Sequence, residues 1–512
     1  MNPLSSHHRR QFLKRMAIAA GTTAMAPQIF DRPSRAMTLP PQAERIYYVA
    51  PDGRDTNPGT LDRPWATIHK AAETLEAGDT VYIRGGTYAI SEQIRPRNMG
   101  RPDEWITYRS YPGETAIIDA FDVYVDPPEG EPPFPQDQGA FQIDGTAYLR
   151  IQNLTLQNSH NAGFTVRNSN YIELYNNTTY RTFSCGIAVW TDCSYCKAIG
   201  NTIVDANTIA MRLDWGDEYP ARRGVGPHEA ITFGGALDFE IAYNHVLYCQ
   251  KEGINCKETC ARGRVHHNYT HHLRRQGLYV DAFFGKLEDI ELFDNVVTEC
   301  ETGIAVSAED GPLTENIRIH HNLVYNNRAT GIFLSRWGDD GKRTNIKIYN
   351  NTVVRNGYGR GEPDYWLQGG LYLYTTNLEN VEIKNNIISE NNAFQIGYSQ
   401  DFDRDFTPQK IEIERNLVHQ TATFDYPISL EWAEDEVYPT NGDNFIEGDP
   451  QFVDAEFANF YLQSDSPAIG AGQSLNLDRD GLEPGRTTDL GAFPAQAEET
   501  FWWLVNFPPT FS

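Results

Sequence analysis

The chain has 512 residues, with 43 lysines and arginines against 69 aspartates and glutamates, for a formal net charge of −26. So acidic a balance disfavours nucleic acid, which is bound by basic surfaces. It also works against plain attraction to a polyanionic glycan unless cations intervene.

At the N-terminus, His7-His8-Arg9-Arg10-Gln11-Phe12-Leu13-Lys14 precedes the short apolar stretch Met16 to Met25. The pair of arginines resembles the twin-arginine signal that exports folded proteins in bacteria. The alternative is a basic amphipathic arm. Cleavage is expected after Ala24-Met25-Ala26 or nearer Ala36, so residues 1–36 are read as signal and linker. No run of about 20 apolar residues follows, the length a membrane span needs. The resemblance implies a monomeric periplasmic or secreted protein, with the export machinery as a partner and no membrane insertion.

Residues 45–125 differ from the rest of the chain. They hold a strand, a Gly/Asn/Pro turn, a helix over about Trp65 to Leu75, and further strands. Ile68, Ala71, Ala72 and Leu75 fall at helical spacing on one face of that helix. A helix laid over an open solenoid end would cover its unpaired strand.

From Phe141 to Phe394 an apolar–any–apolar strand recurs every 22 to 28 residues, with one step of 39. Its first residues are Phe141, Phe164, Ile187, Ile209, Ile231, Ile254, Leu278, Ile304, Ile332, Leu371 and Phe394. Between them a second apolar run closes on an asparagine, at Asn177, Asn201, Asn244, Asn268, Asn295, Asn322, Asn351, Asn386 and Asn416. Strands and a buried-turn Asn at this period predict a parallel β-helix of about 10–12 coils over 126–425. Stacked Asn side chains would satisfy the turn backbone. The Pro- and acid-rich stretch 122–139 reads as a loop. Residues 214–228 and 356–368 read as insertions that wall a cleft. Residues 426–512 are expected to cap the other end.

Seven cysteines, Cys185, Cys193, Cys196, Cys249, Cys256, Cys260 and Cys300, fall on or beside coil strands. The odd count argues against a complete disulfide framework. Core packing is the main reading, with one disulfide or a metal at Cys193-x-x-Cys196 as alternatives.

Side chains alternate faces along a strand. With each repeat's first apolar residue at position zero, position three points outward. It reads Arg167, Trp190, Arg212, Gly234, Lys257, Asp281, Ser307, Ser335 and Tyr374. Position five adds Asp192, Asp214, Glu309 and Trp337. Adjacent coils lie about 4.8 Å apart, so Lys257, Asp281 and Glu309 are expected to cluster. Trp190, Trp215, Tyr279, Trp337 and Tyr374 would line the same face, with Arg212 two coils from Lys257. Arg336 is a candidate contact to substrate or an ion-pair partner. Aromatic planes beside carboxylates suit sugar rings. Asp281 and Glu309 are then a candidate acid/base pair, and a solvated column of charges is the alternative. His267, Asp294 and His321 each precede a ladder Asn and form a further stack able to hold a metal or simply to fill turns.

The 45–121 segment (IYYVAPDGRDTNPGTLDRPWATIHKAAETLEAGDTVYIRGGTY and beyond) is similar to the N-terminal segment of secreted right-handed parallel β-helix enzymes. Among these are polysaccharide lyases of the pectate-lyase superfamily and glycoside hydrolases of the β-xylosidase type. GDPQFVDAEFANFYLQSDSPAIGAG with DLGAF resembles the C-terminal segment of such proteins. In the β-xylosidase resemblance, GLYVDAF followed one coil on by an acid before Gly-Pro implies Asp281 as nucleophile and Glu309 as acid/base. Glu309 stands two residues later than the strict equivalent, Ser307. That reading needs no cofactor. The lyase resemblance implies Lys257 as the base, with Ca²⁺ on a uronate carboxylate. Glu252, Asp281 and Glu309 would hold the ion, and Asp192 and Asp214 offer another place for one. Neighbouring carboxylates would raise a lysine's pKa, and a bound cation would reverse that. The expected function is therefore an exported enzyme hydrolysing glycosidic bonds of a polysaccharide or oligosaccharide. The alternatives are a uronate-specific lyase and a non-catalytic glycan-binding β-helix.

Overall fold

The computed structural model describes residues 45–123, 125, 138–208, 228–357, 369–399, 401–402, 406, 408–419, 436–437, 444–475 and 489–493. The export signal, Trp215, Arg212, Asp214, most of both wall loops and the apolar C-terminal tail lie outside these residues.

Three long sheets run the length of a β-solenoid, two of 13 strands and one of 11. Strands within each are parallel except at one end, where Glu436–Val437 pairs antiparallel with Ile396–Tyr398. Each strand pairs with its equivalents one coil before and one coil after, so no interior edge is left bare. The core is the inward column of each sheet. Phe164, Ile187, Ile231, Ile254, Leu278, Ile304, Ile332 and Leu371 are all buried.

The asparagine ladder forms as the spacing predicts. All nine residues are inaccessible to solvent. Asn268 shows the pattern: its Nδ2 donates to Asn295 Oδ1 (3.0 Å) and to Ile241 O (2.9 Å), and its backbone N–H donates to the same Asn295 Oδ1 (3.0 Å). Each amide thus satisfies turn groups that stacking removes from water. The residue before each ladder Asn turns the chain with positive φ, as at Gly200 (68°), His267 (54°), Asp294 (52°) and His321 (56°). This explains the His267, Asp294 and His321 stack: these are turn residues. His267 Nε2 and Asp294 Oδ2 stand 3.9 Å apart.

A second ladder was not foreseen. Asn327, Asn356 and Asn391 stack by the same bonds and end on Gln395 Oε1. Each lies five residues after a first-ladder Asn. The same place is filled earlier by Cys249 and Cys300, which is why the column is hidden from a search for asparagine.

Two coil assignments change. Ile187 pairs directly with Ile231, with no rung between them, and Ile209 itself lies outside the described residues. The Asn201–Asn244 hydrogen bond spans the same excursion. Trp190 therefore neighbours Gly234 directly in the outward column, and Arg212, counted between them, lies outside the described residues. At the other end Leu371 pairs with Ile396, not Phe394. Phe394 instead packs on the outside, 5.2 Å from the Tyr372 ring.

The N-terminal helix is Ile68–Thr74, shorter than predicted, and is capped by Thr67 Oγ1 accepting from Lys70 N (3.1 Å). Ile68, Ala71, Ala72 and Leu75 are buried as expected. At the C-terminus, Phe445–Glu447 extends the second sheet. The described remainder also runs back along that sheet's flank, where Phe452, Phe460, Leu462 and Leu490 cluster with Val296, Leu323, Val354 and Ile387. All seven cysteines are buried and unbridged, in keeping with the packing reading.

Asn295→Ala should lower stability by about 1–3 kcal/mol for each buried group it orphans. It strips an acceptor from two Asn268 donors and a donor from Val265 O and Asn322 Oδ1. Urea unfolding checks this, and a midpoint equal to the parent's would count against the ladder as a stabilising element.

Candidate functional site

The outward column of the third sheet carries the charged residues. Trp190 pairs in register with Gly234, Gly234 with Lys257, Lys257 with Asp281, and Asp281 with Ser307. Lys257 and Asp281 lie on the strands Ile254–Glu258 and Leu278–Phe283.

Glu309 joins this column through a bulge. On the strand Ile304–Asp310 the register slips between Asp281/Ser307 and Phe283/Asp310, so one extra residue is inserted. Such bulges re-aim side chains. Here the Glu309 N–H is brought to Asp281 Oδ1 at 3.1 Å, while Tyr279 Oη donates to Glu309 Oε1 at 2.8 Å. The bulge takes up one residue of the two-residue offset seen in the sequence. Asp281 is 2% exposed, and Glu309 stands nearer solvent.

The electrostatics follow. Burial, then the nearby Glu309 charge, push Asp281 well above the usual carboxylate range against the pull of Lys257. Burial also raises Glu309, while the Tyr279 hydroxyl and Lys257 oppose the shift. The two acids are inequivalent: the deeper lacks a side-chain hydroxyl donor and the shallower has one.

Lys257 is not free. Its Nζ meets Glu229 Oε1 at 3.1 Å, and Thr232 Oγ1 donates to Glu229 Oε2 at 2.8 Å. Burial opposes the charge on both partners. Even so, Glu229 and then Asp281 hold Lys257 above its ordinary value, and Lys257 and then His228 hold Glu229 below its own. Sequence reasoning missed Glu229. Its signal was position minus two, where Glu229 and the next coil's Glu252 follow Ala162 and Cys185.

A second buried cation was also missed. Arg343 is fully buried and donates to Asp340 Oδ1 (2.6 Å), Ser335 O (2.6 Å) and Ser307 Oγ (3.4 Å). It occupies an inward place held by Thr314 and Leu378 on the adjacent strands. A charge in that column was the available clue.

The aromatic candidates divide. Trp337 packs edge-on to Tyr279 (5.7 Å) and Phe333 (5.3 Å), and Tyr374 stacks on Phe333 and Tyr372. They form a wall beside Glu309. Trp190 is buried and lies across Gly234, where a Cβ would come within 2.5 Å of its ring. Its other neighbour is His228, at 4.6 Å between rings. Asn255, between Thr232 and Tyr279 in register, has both amide atoms buried without a hydrogen-bond partner. Arg336 points to Asp401 (2.6 Å). Asp192 is exposed in a turn. Glu252 faces Lys251 at 3.6 Å. Glu252, Asp281 and Glu309 do not bring one oxygen each within 4.8 Å of one another.

Replacing Asp281 by Asn should stabilise the fold. A carboxyl whose folded pKa is raised binds its proton more tightly folded than unfolded, so it costs stability as pH rises through the interval between the two values. The Asp281→Asn variant should therefore be more stable than the parent at high pH, with the gap closing as pH falls to the ordinary carboxylate range. Parallel stability curves across that range would contradict the burial argument.

The family model described as "Right handed beta helix region" matches residues 139–316 and 311–418, and "Pel9A-like, right handed beta helix region" matches 47–211. The uncharacterized protein YwoF of Bacillus subtilis (strain 168) is 27% identical over 82% of this chain and 91% of its own. Pectate lyase PEL9 of Emericella nidulans is 34% identical over 22% of this chain and 27% of its own. The solved pectate lyase Pel9A overlaps 88% of this chain and 96% of its own at 15% identity, with a TM-score of 0.47.

Proposed function

We propose that this chain, which belongs to the right-handed β-helix family, is a carbohydrate-active enzyme that cleaves glycosidic bonds by acid/base hydrolysis. The observation that carries the proposal is the Asp281–Glu309 pair: two inequivalent carboxyls joined through the Glu309 N–H beside an aromatic wall. Two titratable groups whose environments differ divide acid and base roles between them. The deeper Asp281 is suited to hold the proton. Glu309, supported by the Tyr279 hydroxyl and nearer solvent, is suited to stay ionised at the sugar. This reverses the roles that the β-xylosidase resemblance implied. Lys257 then serves as fixed positive charge beside the pair. The partly exposed Trp337 and Tyr374 rings are the surfaces offered to sugar C–H faces. Tyr279, expected from the sequence to join them, is buried and contributes its hydroxyl. Export to the periplasm or beyond would place the enzyme with its glycan.

The relatives favour a second reading. The match to a fungal pectate lyase and the Pel9A-like segment support β-elimination on a uronate-containing glycan. Two features weigh against Lys257 as its base. Glu229 keeps the ammonium protonated, and the oxygens proposed for Ca²⁺ do not converge.

The test is to incubate the purified protein with a polysaccharide panel, with and without chelator, following reducing ends and ultraviolet absorbance together. Hydrolysis predicts reducing ends without absorbance, unaffected by chelator. Asp281→Asn and Glu309→Gln should each lower the rate about 10²–10⁴-fold. Absorbance from unsaturated uronates, lost with chelator or in Lys257→Ala, would overturn it in favour of the lyase. No product in either channel would favour a binding protein.

A further inference from the structure

A cluster apart from the cleft lies on the second sheet, where three consecutive coils contribute the strands His245–Leu247, Tyr269–His271 and Val296–Thr298. His271 Nε2 lies 2.8 Å from His245 Nε2, and His271 Nδ1 lies 2.6 Å from His272 Nδ1. The other edge of His272 closes the row, with Nε2 3.0 Å from Glu299 Oε2. Among the described residues, His271, His272 and Glu299 are the one trio of His, Cys, Asp or Glu that brings a ligand atom each within 4.8 Å of the others.

The chemistry of this donor set is specific. A neutral imidazole has one N–H and one bare nitrogen. If His271 donates from Nε2 to His245, its Nδ1 is left bare and faces His272. In that tautomer His272 lies between a bare nitrogen and a carboxylate, two acceptors that a cation would satisfy. The opposite tautomers, His245 donating to His271 and His271 to His272, satisfy the row without one. A metal ligand that donates its second N–H to a neighbour is oriented and made more basic by that bond, and His245 is placed to do this for His271. The Tyr269 ring fixes both imidazoles, stacking 5.2 Å from His245 and 4.5 Å from His271. His245 and His271 are both buried. His272 and Glu299 are 43% and 49% exposed, which leaves them free to close on an ion and leaves a coordination position open to water.

We propose that His271, His272 and Glu299 form a binding site for a divalent transition cation of the zinc class, with His245 as the residue that orients His271. Two imidazoles and a carboxylate suit such an ion rather than calcium or magnesium, which take oxygen donors. Donors around zinc stand about 3.4 Å apart on a tetrahedron. The two short contacts use opposite nitrogens of His272, and with one ligand atom per residue the three lie within 4.8 Å of one another. Because the donors come from successive coils, the ion would staple the stack. The repeated His-His units at His266-His267 and His320-His321 share the Nδ1 to Nδ1 contact, at 2.9 and 2.8 Å. Each also meets a carboxylate, Glu240 at 3.1 Å from His266 and Glu291 at 3.2 Å from His320, but among the described residues neither set brings three ligand atoms within 4.8 Å of one another.

The test is calorimetric titration of the chelator-stripped protein with zinc chloride, with cobalt(II) absorption as a second readout and thermal unfolding as a third. One ion per chain is expected, with tetrahedral cobalt bands and a raised thermal midpoint. His272→Ala and Glu299→Gln, both at exposed positions, should each weaken binding at least tenfold and remove the thermal shift. Asp281→Asn, in the cleft, should bind zinc as the parent does. Zinc affinity equal in the parent and in the His272→Ala, Glu299→Gln double variant would overturn the proposal and leave a hydrogen-bonded His–Glu row. Absence of binding to the parent would do the same.

Discussion

Everything in this molecule depends on coil pairing with coil in one register. A single coil cannot bury its apolar strands or satisfy its turns alone, so each depends on two neighbours. The nine-residue asparagine ladder makes that dependence strict. The amide of Asn268 is shared between the Ile241 carbonyl and Asn295, and a slip of one residue would break both bonds and turn the inward column out. A fixed register on the inside fixes the outside. This is why Lys257, Asp281 and Ser307 stand in line without any contact made for that purpose.

The same rigidity explains how the site departs from regularity. A strictly repeating strand would offer Ser307 beside Asp281 and leave Glu309 two places along. One extra residue in the strand Ile304–Asp310 breaks the repeat locally and returns a carboxylate to the pair. The bulge costs ladder hydrogen bonds in a structure otherwise built from them. A local exception of this kind is expected where function, not folding, sets the geometry.

Features governed by period were legible in the sequence. The ladder positions, the inward column, the buried face of the capping helix and the neighbours of Asp281 all follow from counting residues. Counting failed where one coil is long. Ile209 and Arg212 fit the period, yet the Ile187–Ile231 pairing leaves no rung between those two strands. Phe394 likewise mimicked a repeat two residues before the true one at Ile396. Glu229 and Arg343 were missed for another reason. Arg343 stands between the neutral Thr314 and Leu378. Glu229 with Glu252 follows Ala162 and Cys185 at a position before the strand, where counting outward side chains does not look. The partner that makes a buried charge tolerable, Lys257 for Glu229 and Asp340 for Arg343, is set by three-dimensional reach.

These buried charges bear on the chemistry as much as on the fold. An isolated carboxylate at Glu229 would be costly, and Lys257 offsets that cost only while it stays protonated. The ammonium is thus committed to a structural pair before any substrate arrives. A group so committed can lend its field to Asp281 and Glu309, but it takes up a proton only if Glu229 releases it. Elimination through Lys257 therefore requires the Glu229 pair to break or a cation to replace it, whereas hydrolysis through the two carboxyls requires neither. That asymmetry is the ground on which hydrolysis is proposed.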